Sequence, residues 1–389
     1  MATMSLSTRR EYLMRIKKKY LKADKEQKSN ILNEFCDNSC MHRKYVIALL
    51  QARIDLHAKV GRQREPRKPA YDNRVMYWLK KIWDILDYPC GQRLAPVLAD
   101  TIDALHRHKE MNIPDEIVKK LMQISSSTID RLLSRFKRSK RRRLHGTTKP
   151  GSLLKKQIPI VLSRWNELRL GYSEIDLVAH NGGNPEGDFA HTLTDTDLAS
   201  GWTEGEAILG KAQKRVKAAL IDIDARRPFP RRGIDSDTGG EFINWLLYRF
   251  CQDEKIEFTR GRPGKKNDNP HVEEKNWTHV RKLVGYHRYG TERQVDLLND
   301  LYRNEWRLYE NFFQPTVKLI EKKRIGGHVH KKYDKATTPY KRIMTSDQVD
   351  AAAKERLRQV YLSLNPAELK RQIIKKLDVL FGTIKRSKC

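Results

Sequence analysis

The chain has 389 residues, with 78 Lys and Arg against 48 Asp and Glu and a formal charge of +30. That length allows two or three domains, and a hydrophobic fraction of 39% excludes a merely disordered basic tail. No stretch reads as the roughly 20 apolar residues that span a bilayer, and the N-terminus lacks the apolar run of a secretory signal. The expectation is an intracellular, cytoplasmic protein whose partner is a polyanion.

Residues 1–150 read as helical and carry 34 Lys and Arg against 16 Asp and Glu. Lys28–Cys36 has an apolar face in Ile31, Leu32 and Phe35. Asp37–Cys40 is turn material, and Tyr45, Val46, Leu49 and Leu50 line a second helix. The pattern is a helix-turn-helix that would bring His42, Arg43 and Lys44 to DNA. Cys36 and Cys40, with His42 nearby, read as buried helix residues rather than half a metal site. Gly61–Pro69 reads as a linker.

The pattern then recurs. Pro114 opens a helix over Asp115–Met122, a serine turn follows, and Thr128, Ile129, Leu132 and Leu133 continue a second helix. Ser125, Ser126, Ser127 and Thr128 supply cap oxygens and small donors that suit phosphate, and Arg131 joins the same expected contact set. The run Arg135, Lys137, Arg138, Lys140, Arg141, Arg142 and Arg143 reads as a phosphate-tracking linker.

From about Gln157 the texture changes. Strands are predicted at Glu174–Ala179, Phe189–Thr194 and Trp202–Ile208. An amphipathic helix follows over Lys211–Ala225, with Val216, Ala219, Leu220 and Ile223 inward. A strand at Arg232–Ser236, a helix at Glu241–Cys251, a strand at Ile256–Thr259 and a long helix from Pro270 to about Val284 complete a mixed α/β region. The expected domains are 1–60, 61–145, 146–290 and 291–389. The last is helical with a small β region, makes DNA or subunit contacts, and has helices at Asp347–Leu362 and Pro366–Phe381.

Three acids stand out. Asp176 interrupts an apolar strand, where a lone charge is costly unless it is exposed, paired or metal-bound. Asp237 sits where a strand turns through two glycines into a helix, which allows close approach of an ion or is an ordinary turn. Glu273 shares a face with Trp277, Val280 and Val284 at an α-helical period, whereas Glu274 points about 100° away.

These residues resemble the pattern of the DDE transposase and retroviral-integrase superfamily, specifically bacterial insertion-sequence transposases. The likeness lies in Asp176 within the first strand, Asp237-Thr238-Gly239 after the fourth, and Asn269-Pro270-His271-Val272-Glu273. His191–Trp202 is similar to the second strand and hairpin of that core, and Tyr333–Tyr340 to a segment that follows it. Thr238 replaces the usual Asn. Trp277 stands where retroviral relatives present Lys, so Lys275 and Lys282 are the expected DNA contacts there.

The resemblance implies an α/β fold. A ribonuclease-H-like catalytic core with a mixed five-stranded sheet would follow all-α helix-turn-helix DNA-binding domains. It implies a catalytic and metal-binding triad of Asp176, Asp237 and Glu273 over two Mg²⁺ ions, with Mn²⁺ as substitute. The implied activity is that of a polynucleotidyl transferase or endonuclease, which cleaves transposon ends and transfers the 3′-OH into target DNA. The implied partners are double-stranded DNA and further copies of the chain on it, with no membrane. The alternative is a non-catalytic, sequence-specific DNA-binding regulator derived from a transposase.

Overall fold

Asp24 sets the geometry of the first helical corner. Its carboxylate accepts from Gln27 N at 2.8 Å while the Gln27 side chain takes the Asp24 N–H, so α2 (Lys25–Ser39) starts one turn after α1 (Leu6–Lys22) ends. Cys40 closes α2 in the left-handed region at φ 55°, and α3 (Arg43–Gln51) follows. Leu13, Tyr20, Leu32, Phe35, Val46 and Leu50 form the core of these three helices. Cys36 is half-buried and Cys40 exposed, so the expectation that both are buried is corrected: a left-handed cap faces outward. The computed structural model describes residues 4–51, 70–136, 169–237, 239–260, 275–325 and 328–386. The chain divides into two units, Met1–Ala70 and Tyr71–Cys389.

The second unit begins with helices α4 (Asn73–Ile85), α5 (Gly91–Leu94), α6 (Leu98–Arg107), α7 (Asp115–Gln123) and α8 (Ser126–Leu133). Val75, Leu79, Ile82, Leu98, Leu105, Leu121 and Ile129 bury their inner faces. The helices Ala351–Ser363 and Pro366–Arg386 belong to the same unit, and Arg371 pairs with Glu110 at 2.6 Å across this packing. No helix among the described residues is long and apolar enough to cross a membrane.

Five strands make the central sheet: β1 (Tyr172–Ala179), β2 (Ala190–Asp197), β3 (Thr203–Leu209), β4 (Gly233–Ser236) and β5 (Glu257–Arg260). Their order is β3-β2-β1-β4-β5, antiparallel among the first three strands and parallel for β1–β4 and β4–β5. This mixed sheet loosely resembles a ribonuclease-H-like core. Helices α9 (Gln213–Arg226) and α10 (Trp245–Asp253) cover one face through Val216, Leu220, Ile223 and Leu247. The other face packs on Val280, Val284, Leu298, Tyr302 and Phe312. Gly233 opens β4 beneath Tyr172: a Cβ there would lie 2.4 Å from the ring.

Covered on both faces, β2 has all eight residues buried although five are Thr or Asp and one is His. Each polar group therefore needs an internal partner. Thr192 meets His180 Nε2 at 2.7 Å, and Asp197 accepts from Gly171 N and from Ser200 N and Oγ. Asp195 is paired with Arg231, whose Nε donates to Asp224 at 2.7 Å. Burial alone would raise the Asp195 carboxyl, but Arg231 and Arg227 hold it below its ordinary value. On β3, Glu204 takes Arg307 at 3.0 Å, and Glu206 takes Arg226 at 3.0 Å together with Arg303.

Candidate functional site

The parallel register that pairs Ile175 with Ser236 brings Asp176 and Asp237 to the same level of neighbouring strands. Asp176 lies within β1 and Asp237 directly follows β4, and these two strands are neighbours inside the sheet. The two carboxylates are taken up locally. Asp176 Oδ1 accepts from Leu177 N at 2.7 Å, and Oδ2 accepts from Asn276 Nδ2 at 2.5 Å. Asn276 Oδ1 in turn accepts from Thr194 Oγ1 at 2.6 Å. One amide thus ties β1 and β2 to the following helix, a role that the acid-centred reading missed.

Asp237 Oδ1 accepts from Gly239 N at 2.9 Å. Desolvation raises its carboxyl above the ordinary value, and the nearby Glu241 pushes the same way against the Gly239 N–H. Glu241 is itself within 3.6 Å of Lys211.

Metal-dependent phosphoryl transfer needs several carboxylates converging on the ions. Among the described residues, no group of three or more His, Cys, Asp or Glu is arranged to hold a metal ion. The expected Mg²⁺ or Mn²⁺ centre is corrected on that finding. With it go the DDE transposase activity, end cleavage with strand transfer, and the polynucleotidyl transferase or endonuclease class. Glu273 and Thr238 lie outside the described residues.

Of the face expected to hold Trp277, Val280 and Val284, only part is kept. Asn276–Arg281 is a π-helix, continuing into Lys282–Val284. A π turn holds more residues than an α turn, so offsets counted at 3.6 per turn do not carry across it. Val280 and Val284 are buried as expected, but Trp277 is 52% exposed rather than docked on the core.

The expected DNA contacts fall into distinct settings. His42 and Lys44 are exposed at the start of α3, with Tyr45 beside them 56% exposed. Arg43 is turned back onto α2, where Asn33 and Ser29 accept from its guanidinium, so it braces the corner. Ser125 caps α8 by accepting from Thr128 N at 3.3 Å, and Ser127 and Arg131 are exposed. The Ser126 carbonyl is covered by Gly91, where a Cβ would come within 2.0 Å of its oxygen. Lys282 is held by Asp87, which also takes Lys370 at 2.9 Å, while Lys275 is half-buried. Arg138, Lys140, Arg141, Arg142 and Arg143 lie outside the described residues.

No protein-family profile matches the chain. Among solved structures, the catalytic core of HTLV-2 integrase in complex with magnesium aligns with 37% of this chain and 88% of its own, at 14% identity and a TM-score of 0.28. The catalytic core of BIV integrase aligns with 44% and 91%, at 16% identity and a TM-score of 0.27. These likenesses are weak and repeated. Among curated proteins, "Uncharacterized protein y4rM" of Sinorhizobium fredii (strain NBRC 101917 / NGR234) is 35% identical over 343 residues, covering 87% of this chain and 96% of that protein. At that identity and coverage, the chain belongs to the family of y4rM.

Proposed function

We propose that the chain is a sequence-specific DNA-binding regulator. The observation that carries this reading is α1, where Arg10, Arg15, Lys18, Lys19 and Lys22 are exposed and Glu11 is the sole acid of the helix. Like charges three and four residues apart weaken a helix, and a polyanion laid along that face relieves the repulsion. Counter-ions displaced from phosphates add affinity that is independent of sequence.

Base reading is assigned to the start of α3, through His42 and Lys44, with Arg43 supporting the corner. Ser127 and Arg131 at α8 are assigned phosphate contacts, and Arg138 and Lys140–Arg143 add charge at the level of sequence. Nothing in this reading requires a bond to be made or broken.

The test is selection of bound duplexes from a randomised pool by the full-length chain, followed by titration of the winners in rising salt. Enrichment of a defined sequence is expected, with log Kd rising linearly with log salt. His42→Ala together with Lys44→Ala should cost about tenfold in affinity for the selected site, and much less for scrambled duplex. A pool that stays unenriched would refute the sequence-specific reading.

A further inference from the structure

After Phe313 the chain forms a two-stranded antiparallel ribbon, β6 (Leu319–Ile325) and β7 (His328–Tyr333). Its base is fixed to the second unit. Thr316 and Thr337 exchange backbone hydrogen bonds of 2.9 and 3.1 Å, and Lys318 N donates to Asp334 Oδ1 at 2.6 Å. Arg342 holds the other oxygen of Asp334 at 2.6 Å, and Lys318 Nζ donates to the Leu198 carbonyl at 2.5 Å.

Beyond that base the ribbon stands clear of the protein. Every residue of β7 is exposed. Ile320 and Ile325 are 62% and 63% exposed, and Leu319, Val329 and Tyr333 also face outward. A two-stranded ribbon without a covering layer is marginal in water, so this one gains from a partner that covers it.

Charge identifies the partner. Lys322, Lys323, Arg324, Lys331 and Lys332 stand in these strands against one acid, Glu321, which pairs with Lys323 at 2.5 Å. The register sets Arg324 opposite Val329 and Lys323 opposite His330. Alternation therefore sends Lys323 and Arg324 to opposite faces, and Lys331 and Lys332 likewise. A ribbon lying flat on an anionic membrane would keep its cations to one side, whereas cations on both faces suit a channel with phosphates along both walls.

We propose that the ribbon is a nucleic-acid arm that enters the major groove of double-stranded DNA. The B-form major groove, about 12 Å wide, admits a two-stranded ribbon, whereas the narrow major groove of A-form RNA does not. Lys323, Arg324, Lys331 and Lys332 meet the phosphate walls, and Ile325 and Val329, one on each face at the free end of the ribbon, reach the apolar edges of the bases. The inference rests on the DNA-binding reading above and adds a second contact region to it.

The test uses the full-length chain and a labelled 30-base-pair duplex. Binding of the parent and of the variant K323Q/R324Q/K331Q/K332Q is measured against NaCl concentration. Removing four phosphate contacts should flatten the log–log salt slope by about 3 to 4 and weaken binding at least about tenfold at moderate salt. An unchanged slope overturns the arm and leaves the DNA-binding reading standing. A parent that binds vesicles of phosphatidylserine or A-form RNA but not the duplex overturns that reading as well. Independently of how the variant folds, a photoreactive benzoylphenylalanine at Val329 of the otherwise unaltered chain should crosslink to the duplex. Its failure to do so also overturns the arm.

Discussion

The central sheet and the β6–β7 ribbon handle charge in opposite ways. In the sheet, Asp195, Asp197, Glu204 and Glu206 are buried and answered by Arg226, Arg227, Arg231, Arg303 and Arg307. In the ribbon, five Lys and Arg face one Glu. These four acids are thus committed to holding the interior together. Lys323, Arg324, Lys331 and Lys332 of the ribbon are displayed outside, where they are available to a partner. A net charge describes neither arrangement; the partition between inside and outside does.

The largest effect should come from breaking the interior set. Arg231→Met would strand Asp195 and Asp224, both of which it contacts, at a cost of about 3–5 kcal/mol. A urea titration reads this as a lower midpoint, and a midpoint equal to the parent's would show that the buried pairs do not stabilise the sheet. Next comes pH. Burial holds His180 at a pKa of about 3, below its ordinary 6.5. Its contribution is therefore complete above pH 6.5 and is lost as pH falls toward 3, because the unfolded chain takes a proton that the fold refuses. Between pH 7 and 4.5 this amounts to roughly 2–3 kcal/mol. His180→Gln should remove that part of the slope, as comparison of urea curves at both pH values would reveal.

A smaller loss is expected for Asn276→Ala, which takes a donor from Asp176 and an acceptor from Thr194, at about 1–2 kcal/mol. Thermal melting checks it, and an unshifted Tm would mean that the amide link carries no load. The least effect on stability belongs to the ribbon. Lys331→Gln should change it by less than about 0.5 kcal/mol while weakening duplex binding. A large melting shift there would erase the contrast between the two regions.

Much of the second unit was legible in sequence, for physical reasons. Val216, Ala219, Leu220 and Ile223 repeat at a helical period and are buried as that period requires. The strand carrying Asp176 could be located because an acid within apolar surroundings is conspicuous, and the turn carrying Asp237 because Gly239 and Gly240 follow it. Whether acids converge is a property of three-dimensional neighbours, and Asn276 answers Asp176 from 100 residues away. The docking assigned to Trp277 assumed a period that the π segment does not keep. A small β region was expected within 291–389, but its strands were not located because cations occupy both faces of the ribbon, so alternation leaves no apolar and polar sides to detect. Arg43 shows the limit for contact residues: position on a helix start is readable, but its turn back toward Asn33 is not.

The space between Gly233 and Tyr172 has a consequence for how this family can diverge. The two positions occupy one volume, with a would-be Cβ at 233 lying 2.4 Å from the ring and 3.3 Å from the Glu257 carbonyl. A side chain gained at 233 and a ring kept at 172 are incompatible without separating β1 from β4. Drift at either position is therefore not independent: loss of the ring must come first or together with the gain of a side chain. In diverged members of the family, the two positions should change as a pair.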